Sequence, residues 1–211
     1  MEWTIIKSPE KQLDMIDIGK IGSLISNMVS GITAEIGKLA SDAKSGRVEE
    51  REIQRRVFSQ SGGAITRVTV DVDTVNVVLK PTAGDSYVVR LVTRENFADE
   101  NVSLLAECRE GILSVAVNEG TNSHLTVEVL MPEAQGVNVS SSSKVGNQLI
   151  NSLKLGAVKI TARDGNVVCK DLDVTSFFVR TGKGNIVVKA VLSATPVDVA
   201  AEHGNVVIKA K

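Results

Sequence analysis

The chain has little of what most enzymes and most secreted scaffolds are built from. Of its 211 residues only two are cysteines, Cys108 and Cys169, and they lack the close spacing of a zinc site or a disulfide framework. Cys169 sits in an apolar run and is expected to be a small buried hydrophobe. Aromatics make up 3%, with Trp3 the single tryptophan, so large rings cannot dominate the core and a sugar platform is missing. There are two histidines, His124 and His203, without a second ligand at metal spacing. No apolar run approaches the roughly 20 residues of a spanning helix. The first 17 residues mix Glu2, Lys7, Glu10, Lys11 and Asp14 and do not read as a secretory leader. The chain as written is therefore expected to be cytoplasmic or peripheral to a membrane, and on the surface if a native leader has been removed.

What is present is small, apolar and β-branched. Hydrophobic residues reach 43%, and the net charge of -1 gives no general attraction to nucleic acid. Charge is nonetheless polarised. Residues 61–143 carry eleven acids and five bases, whereas residues 144–211 carry five acids and ten bases.

Two periodicities divide the chain. In the first part Ile18, Ile21, Ile25, Met28, Val29, Ile32, Ile36, Leu39 and Ala43 recur at steps of three and four, the pattern of an amphipathic helix. Asp17 suits its N-cap, and Lys44 with Gly46 its end. Gly19, Gly22, Gly31 and Gly37 weaken such a helix by up to about 1 kcal/mol each, so packing rather than propensity must hold it. The stripe lacks aromatics, and Glu35 and Asp42 offset Lys20 and Lys38, which favours a protein partner or self-association over a lipid surface. After residue 56 the period becomes two. Val68, Val70 and Val72 alternate with Thr69, Asp71 and Asp73, and further strands follow from Tyr87, Ile112 and Leu125. The expected domains are a helical segment at 1–56 and a β domain at 57–211.

Glycine followed by asparagine occurs at Gly146-Asn147, Gly165-Asn166, Gly184-Asn185 and Gly204-Asn205, at intervals of 19, 19 and 20 residues. Apolar pairs recur in phase on both sides of the last three. Such a period predicts a mainly β fold, a β-solenoid or β-roll with coils of about 20 residues, preceded by the amphipathic helix. Its inward ladders are expected to be Val158, Phe177 and Val197; Ile160, Val179 and Val199; and Val167, Ile186 and Val206. The asparagines are expected to stack by hydrogen bonding and to mark structure rather than a ligand site. The serines Ser140, Ser141, Ser142 and Ser143 read as a polar linker.

The segment from Leu125 to Pro132, then Val137, Asn138 and Val139, then the successive Gly-Asn pairs followed by paired aliphatics, resembles the bacterial putative-adhesin domain, a family of unknown function. Val68, Val70 and Val72 followed by Asn76, Val77, Val78 and Leu79 are similar to that family's opening strands. The resemblance covers residues 57–211. It implies a β-solenoid and brings no catalytic residues. Some members with a helical N-terminal part are linked to sensing of envelope stress.

Catalytic patterns do not assemble. Thr181, Gly182, Lys183 and Gly184 lack the upstream glycine of a phosphate loop and lead into a strand. The pairs Asp71 with Asp73 and Asp171 with Asp173 have no aromatic platform beside them, which speaks against glycan cleavage. The Gly-Gly-x-Gly-x-Asp pattern of calcium rolls is missing. No cofactor and no metal are expected. One constellation stands out: Lys170, Lys189 and Lys209 occupy the same repeat position, with Arg180, Lys159 and Lys144 in the same part of the chain. Stacked at about 5 Å, the three ammonium groups either splay into water or form an anion-binding stripe, to which Arg180 adds. The reading is a non-catalytic interaction or scaffold module, bacterial and envelope-associated or regulatory. The alternatives are a surface adhesin binding anionic envelope polymers and, more remotely, a carbohydrate-active enzyme.

Overall fold

A computed structural model describes residues 4–6, 52–61, 65–94, 103–118, 125–133, 136–192 and 196–210. The amphipathic stretch at 18–43 lies outside the described residues. Among the described residues fifteen strands follow in order: β1 (Thr4–Ile6), β2 (Glu52–Ser61), β3 (Arg67–Thr74), β4 (Asn76–Pro81), β5 (Ser86–Arg94), β6 (Ser103–Arg109), β7 (Ile112–Asn118), β8 (Thr126–Met131), β9 (Val137–Val145), β10 (Gln148–Asn151), β11 (Lys154–Asp164), β12 (Val167–Lys183), β13 (Ile186–Leu192), β14 (Val197–His203) and β15 (Val206–Ala210).

The strands form one sheet of order β2-β5-β8-β4-β10-β12-β11-β9-β3-β7-β6. Its ends β2 and β6 approach each other, so the sheet is a nearly closed, barrel-like structure. Two walls can be distinguished, and the 17-residue strand β12 belongs to both. Its first residues pair with β10 and β13, and its later ones with β11 and β14. The first wall therefore holds β2, β5, β8, β4, β10, the start of β12, β13, β15 and β1. The second holds β6, β7, β3, β9, β11, the rest of β12 and β14.

This corrects the expected solenoid. The sheet has mixed strand order, with parallel pairs at its centre and antiparallel pairs β2 with β5, β5 with β8, β6 with β7 and β1 with β15. No helix occurs among the described residues. The period misled because it encodes register between successive Gly-Asn turns, whereas barrel closure depends on strands outside the period. Early strands enter the same sheet: β3 lies between β9 and β7, and β4 between β10 and β8. The expected domain boundary at 56/57 falls inside β2.

The chain passes from the second wall to the first at each Gly-Asn pair. Gly184 has φ +139°, and a Cβ there would lie 2.1 Å from the carbonyl oxygen of Gly165. Only glycine allows successive turns to stack this closely. The return corner uses left-handed residues at Ser152 (φ 56°) and Asp171 (φ 49°).

Between the walls lies a core of aliphatics, including Val70, Leu79, Val129, Ile160, Val179 and Ile186. Phe177 is its largest fully buried side chain, in register with Val158 and Val197. Val197 itself is 38% exposed, because β14 pairs only with β12 among the described strands. Ser140 to Ser143 are not a linker but lie within β9, with Ser141 and Ser143 turned inward. They serve buried Gln148: the Ser141 hydroxyl donates to Gln148 Oε1 (2.6 Å), and Gln148 Nε2 donates to Ser143 Oγ (2.9 Å) and the Thr161 carbonyl (2.8 Å). Among the described residues no buried side-chain nitrogen or oxygen lacks a partner, as a stable polar inclusion requires.

Candidate functional site

The structure brings three of the four expected site residues together. Lys170 on β12 is in register with Lys189 on β13, and Lys189 with Lys209 on β15. Parallel in-register pairing fixes equal positions on neighbouring strands, which is why a sequence period becomes a row of like charges. The row runs along the outer face of the first wall. Lys189 is exposed, and its Nζ lies 3.4 Å from Asp171 Oδ1. Partial burial pulls the Lys170 ammonium below its ordinary pKa; Asp171 opposes that shift, and Lys189 adds to it.

Arg180 is placed elsewhere. It lies on the later part of β12, in the second wall, and its Nη2 donates to Asp198 Oδ2 at 2.9 Å. Arg180 and Lys159 flank the half-buried Phe178 ring at 4.9 and 5.7 Å from its centroid. This cation-π cluster was not foreseen. Its signal in the sequence was the in-phase spacing of Lys159 and Phe178, one repeat apart. Lys144 joins neither group but pairs with Asp73 at 2.8 Å.

The asparagine ladder holds the corner beside these sites. Asn166 Nδ2 donates to Asn147 Oδ1 (3.1 Å), Asn185 Nδ2 to Asn166 Oδ1 (3.1 Å) and Asn205 Nδ2 to Asn185 Oδ1 (3.2 Å). Each Oδ1 also accepts the next backbone N–H at about 3.0 Å. Asn76 begins the ladder, accepting from Asn147 N at 2.9 Å, although no glycine precedes it.

The carboxylate pairs do not form a catalytic arrangement. Asp73 is engaged by Lys144 and Asp171 by Lys189, and Asp71 is exposed. His203 is an exposed corner residue in register with Lys183, and His124 lies outside the described residues. Among the described residues no group of three or more His, Cys, Asp or Glu could hold a metal ion, and no helix is long and apolar enough to cross a membrane. In the first wall Glu128 accepts hydrogen bonds from Lys80 Nζ (2.6 Å) and Arg90 Nε (2.5 Å).

Fold and surface together define a mainly β, barrel-like protein with a lysine row on its first wall. A solved structure of a putative cell adhesion protein from Clostridium sporogenes shares this fold, at 11% identity and TM-score 0.52 over 76% of this chain and 99% of that one. A putative adhesin from Bacteroides fragilis aligns at 12% identity and TM-score 0.35, over 77% and 98%. No family model matches the chain, and no curated protein is significantly similar in sequence.

Proposed function

We propose that the protein is a non-catalytic binding module of a bacterial cell envelope, which uses the row Lys170, Lys189 and Lys209 to hold a phosphate-bearing polymer. The observation that carries this reading is the register. Three lysines stand in register on adjacent strands, although like charges opposite one another weaken a sheet. A linear polyanion relieves that repulsion and matches a linear row. The fold shared with a bacterial protein described as a putative cell adhesion protein agrees with a binding role. Arg180, paired with Asp198 on the other wall, is left outside this site.

The test is retention of the full chain on immobilised polyphosphate. Retention should fall as salt rises, because exposed charges are screened over about 8 Å at physiological ionic strength. Lys189→Gln with Lys209→Gln should weaken it about tenfold or more, and Arg180→Gln about twofold or less. Equal loss in the two variants, or no retention of the parent, defeats the reading.

A further inference from the structure

The outer face of the second wall carries a cluster that the lysine row does not absorb. Ser140, Lys159, Phe178 and Asp198 stand in register across β9, β11, β12 and β14, and Ser142, Thr161 and Arg180 form the row beside them. These residues alternate with the buried Val139, Ile160, Phe177 and Val179, so the pleat turns them outward, and none of them is fully buried. Among the described residues Phe178 is the only phenylalanine or tyrosine that points outward, since Phe177 and Tyr87 lie in the core and Phe58 packs against it. A sequence with a single tryptophan offers no ready sugar platform, yet strand register sets this ring among hydroxyls and charges.

The charges around the ring are unequal. The guanidinium carbon of Arg180 lies 4.9 Å from the ring centroid and Lys159 Nζ 5.7 Å from it, within the range of cation-π attraction. Arg180 Nη2 also donates to Asp198 Oδ2 at 2.9 Å. Ring and carboxylate together hold the guanidinium in place, and the carboxylate takes one of its five N–H donors. The Arg180 side chain is 57% exposed, which leaves other donors of its planar fork open to a second acceptor, and that fork fits a carboxylate through two parallel bonds. Lys159 is exposed and brings a second positive charge, so the cluster sets two cations against one carboxylate. An anion is favoured here, and the ring adds an apolar surface that a bare anion would leave unused.

We propose that the second wall binds a carboxylate-bearing sugar of an acidic glycan at this cluster. Arg180, aided by Lys159, holds the sugar carboxylate, and the open part of the Phe178 ring meets the apolar C–H side of the sugar. Ser140, Ser142 and Thr161 offer hydroxyls to those of the glycan, and Asp198 positions Arg180. A polyphosphate lacks the apolar side and an acidic peptide lacks the dense hydroxyls, so neither uses all three kinds of group. The site does not depend on the lysine row, which lies on the other wall across β12, β13 and β15. The two surfaces can hold two polymers at once.

Calorimetric titration of the full chain with an oligogalacturonate tests this, with its methyl ester as the neutral sugar and polyglutamate as the charged chain without sugar. Arg180→Gln should weaken binding of the oligogalacturonate about tenfold, and Phe178→Ala about fivefold or more. Arg180→Lys should weaken it nearly as much as Arg180→Gln, because an ammonium lacks the fork. Lys189→Gln with Lys209→Gln should change it about twofold or less, and the methyl ester and polyglutamate should each bind about tenfold or more weakly than the acid. If Phe178→Ala is found unfolded, Phe178→Thr, which keeps strand propensity, is judged by the same criterion. No binding of the oligogalacturonate by the parent overturns the proposal, as does equal loss in the lysine-row variant. Binding that ignores the loss of the Phe178 ring marks attraction of charge alone, and polyglutamate held as tightly assigns the site to an acidic peptide; either result overturns it too.

Discussion

Lys170 and Lys189 stand opposite one another on β12 and β13, and Asp171, the residue at the corner of β12, reaches across to Lys189 at 3.4 Å. One carboxylate thus serves the junction of two ammonium groups. Lys170, the more enclosed, bears the cost in its own ionisation.

A pH titration of stability should show this. The folded-state pKa of Lys170 is lowered, chiefly by desolvation, so between its folded and unfolded pKa values the unfolded chain binds the extra proton. Stability from this group therefore rises as pH increases through that window, and the penalty is fully present below it. Lys170→Met keeps the apolar stem and removes the charge. The difference in urea midpoint between Lys170→Met and the parent should shrink from pH 8 towards pH 11, with Lys170→Met the more stable at pH 8.

Gly184→Ala is expected to destabilise the protein by about 2 kcal/mol or more, since a Cβ would meet the Gly165 carbonyl oxygen at 2.1 Å and φ is +139°. Gly84→Ala meets nothing within 4 Å and should change stability by about 0.5 kcal/mol or less. Urea unfolding of the two variants makes the comparison.

Asn166→Ala should cost about 1 to 3 kcal/mol, because it leaves the backbone N–H of Asn185 and the amide of the same residue without their acceptor. Asn205→Ala, at the exposed end of the ladder, should cost less than about 1 kcal/mol. Equal losses at both positions would show that the ladder does not act through buried polar satisfaction.

Phe177→Ala should lower stability by about 3 to 5 kcal/mol, as befits a ring 2% exposed in the core. Val197→Ala, in register with it on the open strand β14, should lower it by about 1 kcal/mol or less. Thermal or urea unfolding of the pair separates the packed position from the edge position.

Much of this fold is local information. The Gly-Asn spacing placed Val158 beside Phe177, Val167 beside Ile186, and Lys170 beside Lys189, because parallel in-register pairing converts a constant sequence interval into lateral contact. The alternation of apolar residues in β3 and β9 followed from the pleat, although four successive serines hid the strand character of β9. Ser141 and Ser143 make sense only beside Gln148, a partner that no local pattern announces.

By itself, then, the sequence determined the strands of the repeat, the glycine corners, the asparagine ladder and the lysine row, all of which depend on neighbours at a constant interval. The tertiary structure alone decided that the sheet nearly closes, that β5 and β6 run against their neighbours, and that Arg180 belongs to the other wall with Phe178 and Asp198. The reason is physical: a period specifies register between adjacent strands, whereas closure is set by the apolar area left over at the edges and faces, which the whole chain must bury together.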